Sequence, residues 1–164
     1  MDMTHAELVT IAARWLKRQG CNVVLTERGG ASTGETPDAM GWWCSGFQSA
    51  VIECKTSVED FYADRRKEHR DARSLGSVRW YLAPIGVIAA GHLTGGWGLL
   101  EWDGRVVRRS IEPEPWRGHA RSIEVEAQIL LSELRIFHAQ GITYRKGAER
   151  WGTNEATEPA EAHS

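Results

Sequence analysis

Thr36-Pro37-Asp38-Ala39-Met40-Gly41-Trp42-Trp43 and, after Cys44-Ser45-Gly46-Phe47-Gln48, Ser49-Ala50-Val51-Ile52-Glu53-Cys54-Lys55-Thr56 make up the stretch of sequence that sets the fold. Two extended segments, Asp38 to Trp43 and Ser49 to Thr56, flank a short break containing glycine, which is the pattern of an antiparallel hairpin. Successive side chains of a strand alternate faces, so Glu53 and Lys55 share one face while Ile52 and Cys54 point into the opposite layer. Once the hairpin is paired, Asp38 lies on the neighbouring strand and its carboxylate can converge with Glu53. An acid pair and a lysine then stand where the apolar run Ala50-Val51-Ile52 ends.

Such a set has a chemistry. Hard divalent ions such as Mg²⁺ take oxygen ligands at about 2.0–2.1 Å and keep several waters, so two carboxylates and a backbone carbonyl suffice to hold one. A lysine beside that ion can orient a bound water or offset charge developing on a phosphate, and phosphodiester hydrolysis needs these parts. The spacing also fits a plainer arrangement, with Glu53 and Lys55 a same-face surface ion pair and Asp38 a turn residue after Pro37. Both readings stand at this point.

Working outward, Thr4 to Gln19 places Leu8, Ile11, Ala12, Trp15 and Leu16 at the spacing of a helix with one buried face, ended by Gly20. Asn22 to Thr26 reads as a strand and Arg28 to Pro37 as a loop. On the other side, Ser57 can cap a helix with Asp60 three residues later, running to about Ser74 before Gly76 interrupts it. Arg79 to Ala83 reads as a strand. Trp97 to Trp102 and Arg105 to Arg109 read as a hairpin, since Asp103-Gly104 supplies the positive φ angles of a tight turn. Ile111 to Trp116 connects to a second amphipathic helix, Ser122 to His138. This order predicts an α/β sandwich around a mixed β-sheet flanked by helices, built mainly from hairpins. It forms one domain over 1–146, and 147–164 is expected to be a disordered acidic tail.

Composition agrees with one ordinary core. The 164 residues are 41% hydrophobic and 26% charged, which excludes a wholly disordered, collagen-like or coiled-coil chain. No apolar run is long enough to span a membrane and no secretory leader is evident, so a cytosolic location is expected. Cys21, Cys44 and Cys54 show no CxxC spacing, which argues against a zinc ribbon or a disulfide framework. Gly29-Gly30 and Gly95-Gly96 lack the spacing of a phosphate-cradling loop. The net charge of −2 argues against a generally sticky nucleic-acid binder. However, Arg66, Arg70 and Arg73 fall at i, i+4, i+7, a stripe able to hold backbone phosphates or to form a solvated face. Of the eight tryptophans, Trp15, Trp80, Trp97 and Trp102 sit on apolar patterns as core residues, whereas Trp42 and Trp43 flank the hairpin break and can stack on unpaired bases, although strand alternation turns at least one of that pair toward the core. The six histidines lack ligand spacing.

Pro37-Asp38 and Glu53-Cys54-Lys55 resemble the motif that names the PD-(D/E)XK nuclease superfamily. Lys55-Thr56-Ser57-Val58-Glu59-Asp60-Phe61-Tyr62-Ala63-Asp64-Arg65 further resembles a segment of the small MmcB-like DNA repair nucleases and related phage proteins. The resemblance covers about Thr4 to Arg109. It implies a restriction-endonuclease-like core and a metal-dependent DNA nuclease acting in repair, recombination or phage DNA processing. By the same resemblance Asp38 and Glu53 hold Mg²⁺, or Mn²⁺ in its place, with the Cys54 carbonyl, and Lys55 is the catalytic lysine. The family often carries a glutamate in its first helix, where Glu7 stands, although Thr4-His5-Ala6-Glu7 equally fits a capping box. The alternatives are a nuclease-derived module that binds nucleic acid or protein without cutting, and a metal-dependent RNase. The sequence leaves endo- or exonuclease action and a monomeric or homodimeric state open.

Overall fold

The computed structural model describes residues 3–29, 35–45, 48–65, 75–93, 95–115, 119–143 and 152–153. The first helix, α1 (His5–Arg18), begins at Thr4, whose hydroxyl accepts from the Glu7 amide at 3.3 Å while the Glu7 carboxylate accepts from the Thr4 amide at 2.8 Å. It ends in a Schellman arrangement. Gly20, at φ 87°, donates to the Lys17 carbonyl and Cys21 donates to the Leu16 carbonyl, both at 3.1 Å. The helix buries Leu8, Val9, Ala12, Trp15 and Leu16.

A six-stranded sheet follows, in the order β1 (Val23–Thr26), β2 (Ala39–Trp43), β3 (Gln48–Cys54), β4 (Val78–Pro84), β5 (Gly98–Trp102) and β6 (Val107–Ile111). The outer pairs β1–β2, β2–β3 and β5–β6 are antiparallel, and the central pairs β3–β4 and β4–β5 are parallel. The sheet is therefore mixed, and its centre is made by crossovers where hairpins were expected to dominate. The first crossover carries α2 (Val58–Arg65). The second carries a 3-10 turn (Ala90–His92). The expected extension of α2 to Ser74, with Arg66, Arg70 and Arg73, lies outside the described residues.

Two apolar layers result. On one face α1 packs on Ala39, Ala50, Ile52, Cys54, Trp80, Leu82 and Leu100. On the other, Met40, Trp42, Val51, Tyr81 and Leu99 meet Phe61 of α2 and Ile129 of α3 (His119–Ala139). Gly41 admits α1 to the sheet, because a Cβ there would stand 2.8 Å from the Cys21 sulfur. Buried Glu126 fastens α3, accepting from Trp42 Nε1 and from the Gly76 amide, each at 2.9 Å. Trp42 is thus buried, as strand alternation predicts for one of this pair, and half-buried Trp43 donates from Nε1 to the Gln19 carbonyl at 2.9 Å. Of the tail, Gly152–Thr153 is described, and it pairs antiparallel with Ile142–Thr143 where no structure was expected. Among the described residues no helix is long and apolar enough to cross a membrane.

Candidate active site

The register of β2 and β3 brings the predicted residues together. Ala39 opposes Ile52, so one residue further Asp38 opposes Glu53, and directly opposed residues of an antiparallel pair project from the same face. Asp38 Oδ2 accepts from the Cys54 amide at 2.7 Å. The Lys55 amide donates the other way, to the Leu82 carbonyl of β4 at 2.9 Å. Lys55 Nζ lies 3.9 Å from Glu53 Oε2 and 4.0 Å from Asp60 Oδ1. The Glu53 and Lys55 side chains are only 6% and 7% exposed, that of Asp38 16%. A surface ion pair would be largely solvated, and this one is not. Asp60 keeps the capping bond expected of it, its amide donating to Ser57 Oγ at 3.2 Å, while its carboxylate faces Lys55.

Local charge is reflected in Cys54. Its thiol is pushed far above the usual range, chiefly by burial and then by Asp38 and Glu53, with Lys55 opposing them. The thiol is therefore neutral and of no use as a nucleophile. It fills the α1 side of the sheet while its backbone serves the opposite rim.

Two residues depart from expectation. Glu7 is exposed and closes the capping box, its Oε2 accepting from both the amide and the hydroxyl of Thr4, at 2.8 and 2.7 Å. Those bonds hold its carboxyl below the usual range, so it is an ionised acceptor at neutral pH and not a general acid. Of the two roles the sequence allowed it, the capping box is the one these bonds realise. The α1 residue that reaches Asp38 is His5, with Nε2 3.1 Å from Asp38 Oδ1. Sequence reasoning missed His5 because 33 residues separate it from Asp38 and no ligand spacing links them.

Among the described residues no three His, Cys, Asp or Glu side chains are grouped to hold a metal. An ion here would need backbone and water as well as side chains, as Mg²⁺ does. The ladder offers such a backbone group. Register places Pro37 opposite Cys54, and proline has no N–H to give the Cys54 carbonyl. Asp38, Glu53 and that carbonyl therefore suit a hydrated hard cation and not an all-protein cage.

No protein-family model and no curated protein matches the chain. Among solved structures, the SPO1766 protein of unknown function from Silicibacter pomeroyi is similar. It shares 24% identity at a TM-score of 0.63, over 85% of this chain and 92% of that one. The likeness is one of fold.

Proposed function

We propose that the chain is a metal-dependent DNA nuclease that hydrolyses phosphodiester bonds during repair, recombination or phage DNA processing. One observation carries the reading: Asp38, Glu53 and Lys55 converge at the end of β3 with little solvent exposure, although a purely structural role requires no such set. Asp38, Glu53 and the Cys54 carbonyl would hold Mg²⁺, with Mn²⁺ able to substitute. The bound ion would supply a Lewis acid and lower the pKa of water. The chain's own residues supply the rest. The Cys54 amide and His5 fix the Asp38 carboxylate, and Lys55 brings a positive charge to where a phosphoryl oxygen gains negative charge. Arg66, Arg70 and Arg73 hold backbone phosphates in this reading, on the strength of their helical spacing alone.

A second reading, a nucleic-acid-binding module that does not cut, is favoured by the engagement of both Asp38 oxygens, by His5 and by the Cys54 amide. The test is incubation with linear, nicked, branched and single-stranded DNA, and with RNA, in Mg²⁺, Mn²⁺ or EDTA. Cleavage of DNA is expected with either ion and none with EDTA. Lys55→Met is expected to slow single-turnover cleavage about 10²–10³-fold while leaving calorimetric Mn²⁺ binding in place. Cutting undiminished in EDTA, or a Lys55→Met protein as fast as the parent, overturns the nuclease reading. Binding without any cleavage selects the inert module.

A further inference from the structure

The sheet carries a second feature at the rim that bears the acid pair and lysine. Strands β3, β4 and β5 run parallel, so their carboxyl ends lie together, and ligands of open α/β sheets gather outside such ends. Cys54 pairs with Leu82 and Pro84 with Trp102, which sets Trp102 level with Thr56, one residue past Lys55 and on the α1 face of the sheet, so that a strand reaching both would cross the rim from the face of Glu53 and Lys55. With neighbouring strands about 4.8 Å apart, Trp102 stands roughly 10 Å from β3.

Trp102 is half-buried and lines a cleft of about 480 Å³ between α1 and the β5–β6 turn. Facing it from α1 are Glu7, Thr10, Ile11 and Arg14, and the far lip is Gly104, around which a Cβ would meet nothing within 4 Å. Arg14 is exposed and makes no ion pair among the described residues. An aromatic ring, an uncommitted guanidinium and an acceptor carboxylate around an open slot suit one flat heterocycle attached to an anionic backbone. The two tryptophans that the sequence suggested for stacking are committed elsewhere, one buried against Glu126 and the other bonded to the Gln19 carbonyl.

We infer that this cleft binds an unpaired nucleotide of the nucleic-acid strand, its base against Trp102 and its phosphate toward Arg14. The substrate class is then a strand with unpaired bases beside the cut: a single strand, a flap or a frayed end. A base inside an intact duplex cannot enter the slot without leaving its stack, which costs a few kcal/mol. The inference deepens the nuclease reading, and it is tested by binding so that the two fail separately.

Fluorescence anisotropy of labelled oligo(dT) and of a blunt duplex, with Lys55→Met protein in EDTA, reads the cleft without any cleavage. The oligo(dT) is expected to bind more tightly than the duplex. Trp102→Ala is expected to weaken oligo(dT) binding about 5- to 150-fold, the range for loss of one base–aromatic stack, and to leave duplex binding unchanged. Because Trp102 also packs against the α1 layer, a second variant fills the slot from an exposed helix position. Thr10→Trp is expected to reproduce the loss with an unchanged melting temperature. A parent protein that binds oligo(dT) no better than duplex, or a Thr10→Trp protein that binds oligo(dT) as the parent does, overturns the inference. Displacement of the oligonucleotide by free dTMP at equal molar effectiveness also overturns it, in favour of a mononucleotide pocket. Selective oligo(dT) binding by a wild-type chain that never cuts upholds the cleft and removes the nuclease reading alone.

Discussion

Asp38 shows how one side chain is placed by three separate pieces of the chain: the register of β2 against β3, the amide of Cys54 and the imidazole of His5. The first of these was legible in the sequence, because strand alternation and the proline before Asp38 limit where the carboxylate can point. The third was not, since nothing local in Thr4-His5-Ala6-Glu7 says which residue of the first turn faces the sheet. Glu7 illustrates the converse, a residue whose capping role was readable from spacing and is realised in the structure. Its carboxyl is held below the usual carboxylate range by the Thr4 bonds, so the stability it contributes is fully present above the unfolded-state value and is lost as pH falls through the lower folded value. Glu7→Gln is therefore expected to lower the denaturant midpoint at pH 7, and the gap from the parent should close as the pH approaches 3. A gap that is constant with pH would remove the ionised cap.

The fastening of α3 depends on one acid. Glu126 is 4% exposed and takes bonds from Trp42 on β2 and from Gly76 ahead of β4, joining a helix to two distant points of the sheet. Glu126→Ala leaves two donors inside the molecule without their acceptor, at about 1–3 kcal/mol each. A loss of about 2–6 kcal/mol in urea unfolding is expected, with the sheet's other layer, under α1, retained. The sequence indicated the helix from its apolar spacing but not this anchor, because a glutamate on an apolar stripe reads as an interruption until its partners are known. Alternation likewise indicated that one of Trp42 and Trp43 turns inward, but not that the partner of Trp42 is a remote helix. The position of the turn at Asp103-Gly104 was local, but its form was not as expected: Gly104 alone of the two takes a positive φ, and the connection runs over Asp103 to Val106, so that β6 begins at Val107 and not at Arg105. Asp103 Oδ1 accepts from the amides of Arg105 and Val106 at 2.9 and 2.8 Å, and Gly104 holds φ 89°. Turn chemistry of this kind is visible in two letters.

The α/β class and the existence and order of the six sheet strands and three helices followed from periodicity and punctuation. The parallel centre did not, because strand direction is set by how crossovers pack and not by any residue pattern within β4 or β5. That parallel centre divides the site in time as well as in space. Asp38 and Glu53 are joined by a hairpin, a unit that forms in about 1–10 μs, whereas Lys55 is tied to Leu82 across a parallel pair whose crossover must close first. Non-local pairing of this kind comes late, since loop entropy is lost before contacts repay it. A refolding chain should thus acquire its acid half before its lysine is locked. Pulse-labelling hydrogen exchange is expected to show the Cys54 amide, which donates to Asp38, protected in an earlier phase than the Lys55 amide, which donates to β4. Simultaneous protection of the two amides would mean that the hairpin has no independent life. With staggered protection, a nascent chain released before β4 has docked would carry a pair of carboxylates without their lysine, leaving the complete acid–lysine set the last feature the fold acquires.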